Sequence, residues 1–267
     1  MTVPLASGRY ERSNQMGSSD QLRPAGRTVI QPGSVKIDGF RTVEHALLAA
    51  GAGAEMIGVI FAPARRQVTI QVARQISDAV RAAASGVLVV GVFVNASADE
   101  INASARAARL DLVQLHGDES PELLANLDLP AIKAFRALPG EGASAFATRI
   151  SPYLSGPVPP VAVLIDGYDP MAHGGTGVRA DWAVVRGVSD RLDLPVGLAG
   201  GLTPANVGGA IRTVRPLMVD ISSGVEVDGV KDETLIRQFI AAADAGYAAV
   251  AISSGSGSTG VDRLPRR

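Results

Sequence analysis

The chain has no cysteine, which removes disulfides, thiolate metal sites and a cysteine nucleophile from consideration. A reducing cytoplasm is therefore an allowed and expected location. Aromatic residues are only 4% of the 267 positions, while 46% are hydrophobic, so the apolar content is mostly Val, Ile, Leu and Ala. That bias suits buried parallel strands and the helices that cover them. A formal net charge of −1 supplies no broad basic field, so neither nucleic acid nor anionic lipid is an expected partner. Uninterrupted apolar runs stay short of the roughly 18 residues of a membrane span, and no membrane partner is expected. The first residues mix Ser, Arg, Gln and Gly without an apolar core, so a secretory leader is not expected. Spacings typical of tetrahedral zinc, flavin and nicotinamide sites are missing, and the reading is no metal and no cofactor.

What the chain does have is a repeated alternation. Apolar runs near 35–39, 56–61, 88–94, 112–116, 131–135, 161–166, 195–199 and 217–221 predict eight strands. Segments 42–52, 70–84, 98–108, 121–127, 204–214 and 232–245 carry Ala, Leu, Ile and Arg at helical spacing, several introduced by Thr, Ser or Asp as caps. Segment 142–160 has the weakest period. The fold class is α/β, and the expected architecture is a single (β/α)8 TIM barrel over 34–250. Residues 1–33 and 251–267 are polar or Ser/Gly-rich without period, and are expected to be disordered extensions.

The barrel rather than an open sheet is indicated by where the glycines fall. No Gly-x-Gly-x-x-Gly follows the first strand. Instead the last two strands each run into small residues, Gly200-Gly201 and Ser222-Ser223-Gly224. Backbone N–H groups at those strand ends can surround a phosphate without charged side chains. A small phosphorylated metabolite is therefore the expected ligand. Thr203-Pro204 beside Gly201 reads as a cap followed by a first-turn proline.

Polar residues gather at the same strand ends: Lys36 and Asp38, Arg65 and Arg66, Asn95, Gln114 and His116, Lys133 and Arg136, and Asp166. The period of two points Lys36 and Asp38 to one side, and likewise Gln114 and His116. Inward charge near a barrel mouth is costly unless paired, so these positions need a structural or chemical reason.

Several stretches together are similar to one family. They are Val35-Lys36-Ile37-Asp38-Gly39, Gly91 to Asn95, Val113 to Ser120, Ile132 to Phe135, Asp166 with Gly174-Gly175-Thr176-Gly177 and Asp181-Trp182, Leu198 to Asn206, and Asp220 to Glu226 with Gly229 to Asp232. In this order they resemble phosphoribosylanthranilate isomerase over about residues 34–246. The resemblance implies an Amadori rearrangement in tryptophan biosynthesis, from N-(5-phosphoribosyl)anthranilate to 1-(2-carboxyphenylamino)-1-deoxyribulose 5-phosphate, with no metal or organic cofactor. A general acid protonates the furanose oxygen, and a general base removes the C2 proton.

By this resemblance the acid is Asp166, which must carry a proton when substrate binds; a loop cap is its plain structural alternative. The base is Asp38, where the family usually has Cys. A carboxylate is ionised at neutral pH without help, so basic function survives in principle. Two aspartates also resemble the sister isomerase of histidine biosynthesis. An isomerase of another phosphoribosylated amine and an inactive phosphosugar-binding paralogue therefore stay as alternatives, and a mere Lys36–Asp38 ion pair is the plain form of the latter. Arg66 matches the arginine facing the anthranilate carboxylate, with Arg65 as competitor. Lys36, Gln114 and His116 are expected to line the substrate site, His116 in a packing or hydrogen-bonding role. Backbone N–H groups of Gly175, Gly201, Ser223 and Gly224 would hold the phosphate, with Gly200 and Ser222 shaping the turns. Monomer and homodimer both fit.

Overall fold

Eight parallel strands close in chain order: β1 (Ser34–Asp38), β2 (Met56–Ile60), β3 (Leu88–Phe93), β4 (Leu112–Leu115), β5 (Ala131–Arg136), β6 (Ala162–Asp166), β7 (Val196–Leu198) and β8 (Met218–Ile221). The ring is completed by β8 pairing with β1, Lys36 opposite Asp220 and Ile37 opposite Ile221. This computed structural model describes residues 30–84, 86–167 and 180–255. The expected (β/α)8 barrel is borne out.

Around the strands lie α1 (Val43–Ala52), α2 (Ile70–Ala83), α3 (Ala98–Ala108), α4 (Pro121–Leu124), α5 (Ala143–Leu154), α6 (Trp182–Ser189), α7 (Val207–Val214) and α8 (Glu233–Gly255). Their starts follow local chemistry. Thr42 and Thr69 accept the N–H of the residue three further on, and Ser97 and Glu100 form a reciprocal capping box. Asp181 accepts two first-turn N–H groups of α6. After β8 comes a 3-10 turn (Ser223–Val225) and a two-stranded antiparallel hairpin, β9 (Glu226–Val227) and β10 (Val230–Lys231).

Several boundaries differ from the sequence reading. The aperiodic 142–160 segment holds α5, which tolerates Pro152 because Phe146 and Ile150 bury fully. The helix expected over 121–127 stops at Leu124. Thr203 is not a side-chain cap: its N–H donates to Asn206 Oδ1 at 2.8 Å, and α7 begins only at Val207. Residues 30–33, assigned above to the N-terminal extension, belong to the barrel, since Ile30 is buried and the Gly33 N–H donates to the Leu217 carbonyl at 2.6 Å. At the other end α8 runs past residue 250 to Gly255.

Helix α8 also qualifies the argument about apolar runs. Its segment Glu233–Ser253 has a mean hydropathy of 1.3, long and apolar enough by composition alone to cross a membrane. It packs on α7 and α1 as the barrel's last helix, burying Ile236, Phe239, Ile240 and Ala243.

Side chains pointing into the barrel form an apolar plug at the N-terminal end, from Ile30, Met56, Val90, Leu112, Ile132, Leu164 and Met218 among others. Two residues further along β4, β6 and β8 the inward positions are Gln114, Asp166 and Asp220, so functional groups stand on this plug at the C-terminal mouth.

Candidate active site at the barrel mouth

From β1 the inward residues are Lys36 and Asp38. Lys36 is completely buried, and its ammonium bridges the carboxylates of Asp38 and Asp220, the latter at 3.1 Å. Two carboxyl groups thus share one cation. Burial alone would lower the Lys36 pKa, but the charges of Asp220 and Asp38 outweigh it and raise it. Asp220 responds in the opposite sense to a salt-bridged acid: burial and the charge of Asp38 push it well above the usual carboxylate range, against Lys36. Its Oδ1 is buried without a hydrogen-bond partner among the described residues. Lys36, expected to line the substrate site, has no exposed part of its side chain and is paired with Asp38 and Asp220.

Room for Asp38 comes from β2. Gly58 pairs in register with Asp38, and a Cβ there would lie 1.6 Å from Asp38 Oδ1. The Asp38 carbonyl in turn accepts the Ser222 hydroxyl at 3.1 Å, tying the end of β1 to the turn after β8.

On β6, Asp166 is nearly buried. Its Oδ1 accepts the N–H of Gly167 at 2.8 Å, the cap-like bond of the plain alternative. Its Oδ2 lies 3.2 Å from His116 Nε2, an ion-pair approach without the alignment of a hydrogen bond. His116 Nδ1 contacts Gln114 Nε2 at 3.1 Å, and Gln114 is fully buried. His116 and Gln114, expected to line the pocket with His116 in a packing or hydrogen-bonding role, form a column leading from the barrel interior to Asp166. The charge of Asp166 also contributes to raising Asp220, so Asp38, Asp220 and Asp166 lie within electrostatic reach of one cluster.

The glycine turns flank these acids. Gly200 and Gly201 have φ of +85° and +61°, values open to glycine. A Cβ on Gly200 would meet Gly167 N at 2.2 Å and Asp166 Oδ1 at 2.9 Å, so this turn is pressed against the β6 carboxylate. Ser223 and Gly224 begin the 3-10 turn, and Gly224 packs so that a Cβ would be 2.1 Å from the Leu202 carbonyl. The turns after β7 and β8 thus touch each other beside Asp166 and Asp38, a setting in which backbone N–H groups can face an anion. Ser222 directs its carbonyl to Lys231 Nζ at 2.8 Å. Gly175 lies outside the described residues.

Arg66 is almost buried but not free. Its Nε and Nη2 donate side-on to Glu226 at 2.7 and 2.8 Å. Arg65, largely exposed, reaches the same carboxylate at 2.9 Å, as does Lys231. Burial works against ionisation of Glu226, but the Arg66 hydrogen bonds and Lys231 charge bring its pKa to about 2. Lys231 is lowered to about 8, by burial above all.

Two participants, Asp220 and Glu226, bound the last family-like stretch of the sequence but are given no role by the sequence reading. Apart from that stretch, Asp220 is signalled by being the one charge in the otherwise apolar Met218–Ile221 run. Glu226 lies beyond the barrel strands, and only the hairpin brings it to Arg66. Among the described residues no group of three or more His, Asp or Glu is arranged to hold a metal ion.

Comparison with known proteins agrees with this geometry. The family model for N-(5'phosphoribosyl)anthranilate (PRA) isomerase matches residues 35–242. N-(5'-phosphoribosyl)anthranilate isomerase of Roseiflexus castenholzii is 44% identical over 217 residues, covering 79% of this chain and 98% of that protein. The protein of the same name from Pseudomonas syringae pv. tomato is 44% identical over 209 residues, 78% of this chain and 95% of the relative. Among solved structures, phosphoribosyl anthranilate isomerase of Thermotoga maritima superposes with a TM-score of 0.68 at 34% identity, over 79% of this chain and 98% of that one. A further structure of such an isomerase holds reduced 1-(o-carboxyphenylamino)-1-deoxyribulose 5-phosphate, with a TM-score of 0.66 at 32% identity and the same coverage.

Proposed function

Because this chain belongs to the N-(5'-phosphoribosyl)anthranilate isomerase family, we propose that Asp38 and Asp166 are the base and acid with which it catalyses that isomerisation. The reaction is the Amadori rearrangement of N-(5'-phosphoribosyl)anthranilate to 1-(2-carboxyphenylamino)-1-deoxyribulose 5-phosphate, a step of tryptophan biosynthesis.

Asp166 gives its proton to the furanose oxygen as the C1–O bond breaks, and the aglycone nitrogen closes a Schiff base to C1. Asp38 then takes the proton from C2, leaving an enolamine. Protonation at C1 and loss of the C2 hydroxyl proton give the ketose. The observation that carries the assignment is the Lys36-bridged pair Asp38–Asp220 in electrostatic contact with Asp166, at the mouth where the Gly200 and Ser222 turns meet.

Lys36 holds the Asp38 carboxylate in place over Gly58, and Asp220 shares the same ammonium. The N–H groups of Gly201, Ser223 and Gly224 are suited to the phosphate. Arg66 spends its side-on edge on Glu226 and keeps the Nη1/Nη2 edge for the substrate carboxylate, a division that a planar guanidinium allows. Biosynthetic chemistry of this kind supports a cytoplasmic location. The Thermotoga maritima relative is a dimer from which monomers have been generated, so either state is compatible with the fold.

The test is complementation of a tryptophan auxotroph lacking the isomerase. Growth supports the reading. Failure to grow, with turnover of the histidine-pathway aminoaldose in vitro, would replace it with the two-aspartate sister reaction.

A further inference from the structure

We infer that Glu226 is the positioning residue that gives Arg66 its selectivity for a carboxylated aglycone, and that the β9–β10 hairpin exists at this mouth to deliver it. The inference rests on the reading of Arg66 above and deepens it.

An arginine that recognises a carboxylate must present one edge of its fork at a fixed angle, and a free guanidinium does not. Here the stem of Arg66 crosses directly over Gly39, the residue after Asp38. Gly39 has φ of +86°, and a Cβ on it would lie 2.4 Å from Arg66 Cδ and 3.2 Å from the Ser222 hydroxyl. The stem is thereby carried past the end of β1, beside the turn after β8. Glu226 then locks the guanidinium plane through both side-on hydrogen bonds, with a side chain only 4% exposed.

Glu226 is itself held from two more directions. Lys231 Nζ lies 2.9 Å from Oε1 and also donates to the Ser222 carbonyl, and Arg65 lies 2.9 Å from Oε2. Arg41 closes the hairpin by donating to the Gly229 carbonyl at 3.1 Å. Three cations meet one carboxylate, so without Glu226 the side chains of Arg65, Arg66 and Lys231 would repel and Arg66 would lose its orientation. With it, the positive surplus is directed through the unused edge of Arg66.

The experiment compares Glu226→Gln with the unaltered chain, using two probes. One is reduced 1-(2-carboxyphenylamino)-1-deoxyribulose 5-phosphate, and the other is the same molecule without the ring carboxylate. In the unaltered chain the carboxylated probe binds more tightly. In the variant its Kd rises roughly 10- to 100-fold, the loss expected for charge-assisted hydrogen bonds, while the carboxylate-free probe changes less than about twofold. In turnover the loss falls mainly on KM rather than kcat.

Equal weakening of both probes would overturn the inference, because a hairpin that merely braces the phosphate turn predicts that result. Unchanged binding of both would overturn it as well. If the unaltered chain fails to prefer the carboxylated probe, the role of Arg66 itself falls. Should Glu226→Gln not fold, Glu226→Asp keeps the charge, shortens its reach and must show the same contrast between probes.

Discussion

Gly58 stands opposite Asp38 in the β1–β2 register, and the space where its side chain would be is filled by the Asp38 carboxylate. A Cβ at 1.6 Å from Oδ1 cannot coexist with that rotamer, so Gly58→Ala must turn Asp38 out of its place against Lys36. The expected result is a fall in kcat of about 100-fold or more, the usual cost of a misplaced reacting group. Steady-state kinetics with circular dichroism checks it. A folded, fully active variant would mean that Asp38 does not work from this position.

Asp220→Asn tests the sharing of Lys36. The amide binds the Lys36 ammonium less strongly than a carboxylate, so the ammonium settles on Asp38 and draws that side chain from its place over Gly58. Activity should fall roughly 10- to 100-fold, as for a displaced reacting group. Stability should move the other way. In the folded protein Asp220 holds its proton to higher pH than in the unfolded chain, so wild-type stability declines as pH rises above the ordinary carboxylate range. Thermal melts between pH 4 and 8 should show that decline in the wild type and a flatter curve in Asp220→Asn.

Gly200→Ala combines a strained φ with a collision. At +85° an L side chain is disfavoured by about 1–2 kcal/mol, and the new Cβ would press on Gly167 N and Asp166 Oδ1. Both phosphate affinity and kcat should drop. Titration with inorganic phosphate separates this from a purely catalytic defect, which would leave anion binding intact.

Acid should expose the Glu226 cluster. With its pKa brought down to about 2 from an unfolded value near 4.5, Glu226 stabilises the fold above the unfolded value and loses that contribution as pH falls between the two. The melting temperature of Glu226→Gln should therefore change less than that of the wild type between pH 5 and pH 2.5. Parallel curves would contradict the assignment.

The barrel was legible because buried parallel strands write themselves as apolar runs and their helices as capped amphipathic segments. The same runs revealed Lys36, Asp38 and Asp166, since a charge at an inward strand end is conspicuous. Asp220 was less visible: a single acid before a serine pair reads as part of the turn until β8 is placed beside β1. Glu226 meets Arg66 across 160 residues of chain, a contact that strand period alone does not encode. The approach of His116 to Asp166 is not legible in the sequence because the two stand two strands apart on the closed sheet. The start of α7 was missed because Asn206, by bonding Thr203 N and the Gly201 carbonyl, draws residues 203–206 into a turn.

The central claim is that two aspartates exchange protons with one phosphoribosylated aglycone. Its most direct test is kcat/KM of the wild type, Asp38→Asn and Asp166→Asn on N-(5'-phosphoribosyl)anthranilate, with product formation followed. The wild type should turn over, and each variant should lose about 100-fold or more, within the range for an acid or a base. Retention of activity within tenfold by either variant, or wild-type turnover confined to the histidine-pathway aminoaldose, would contradict it.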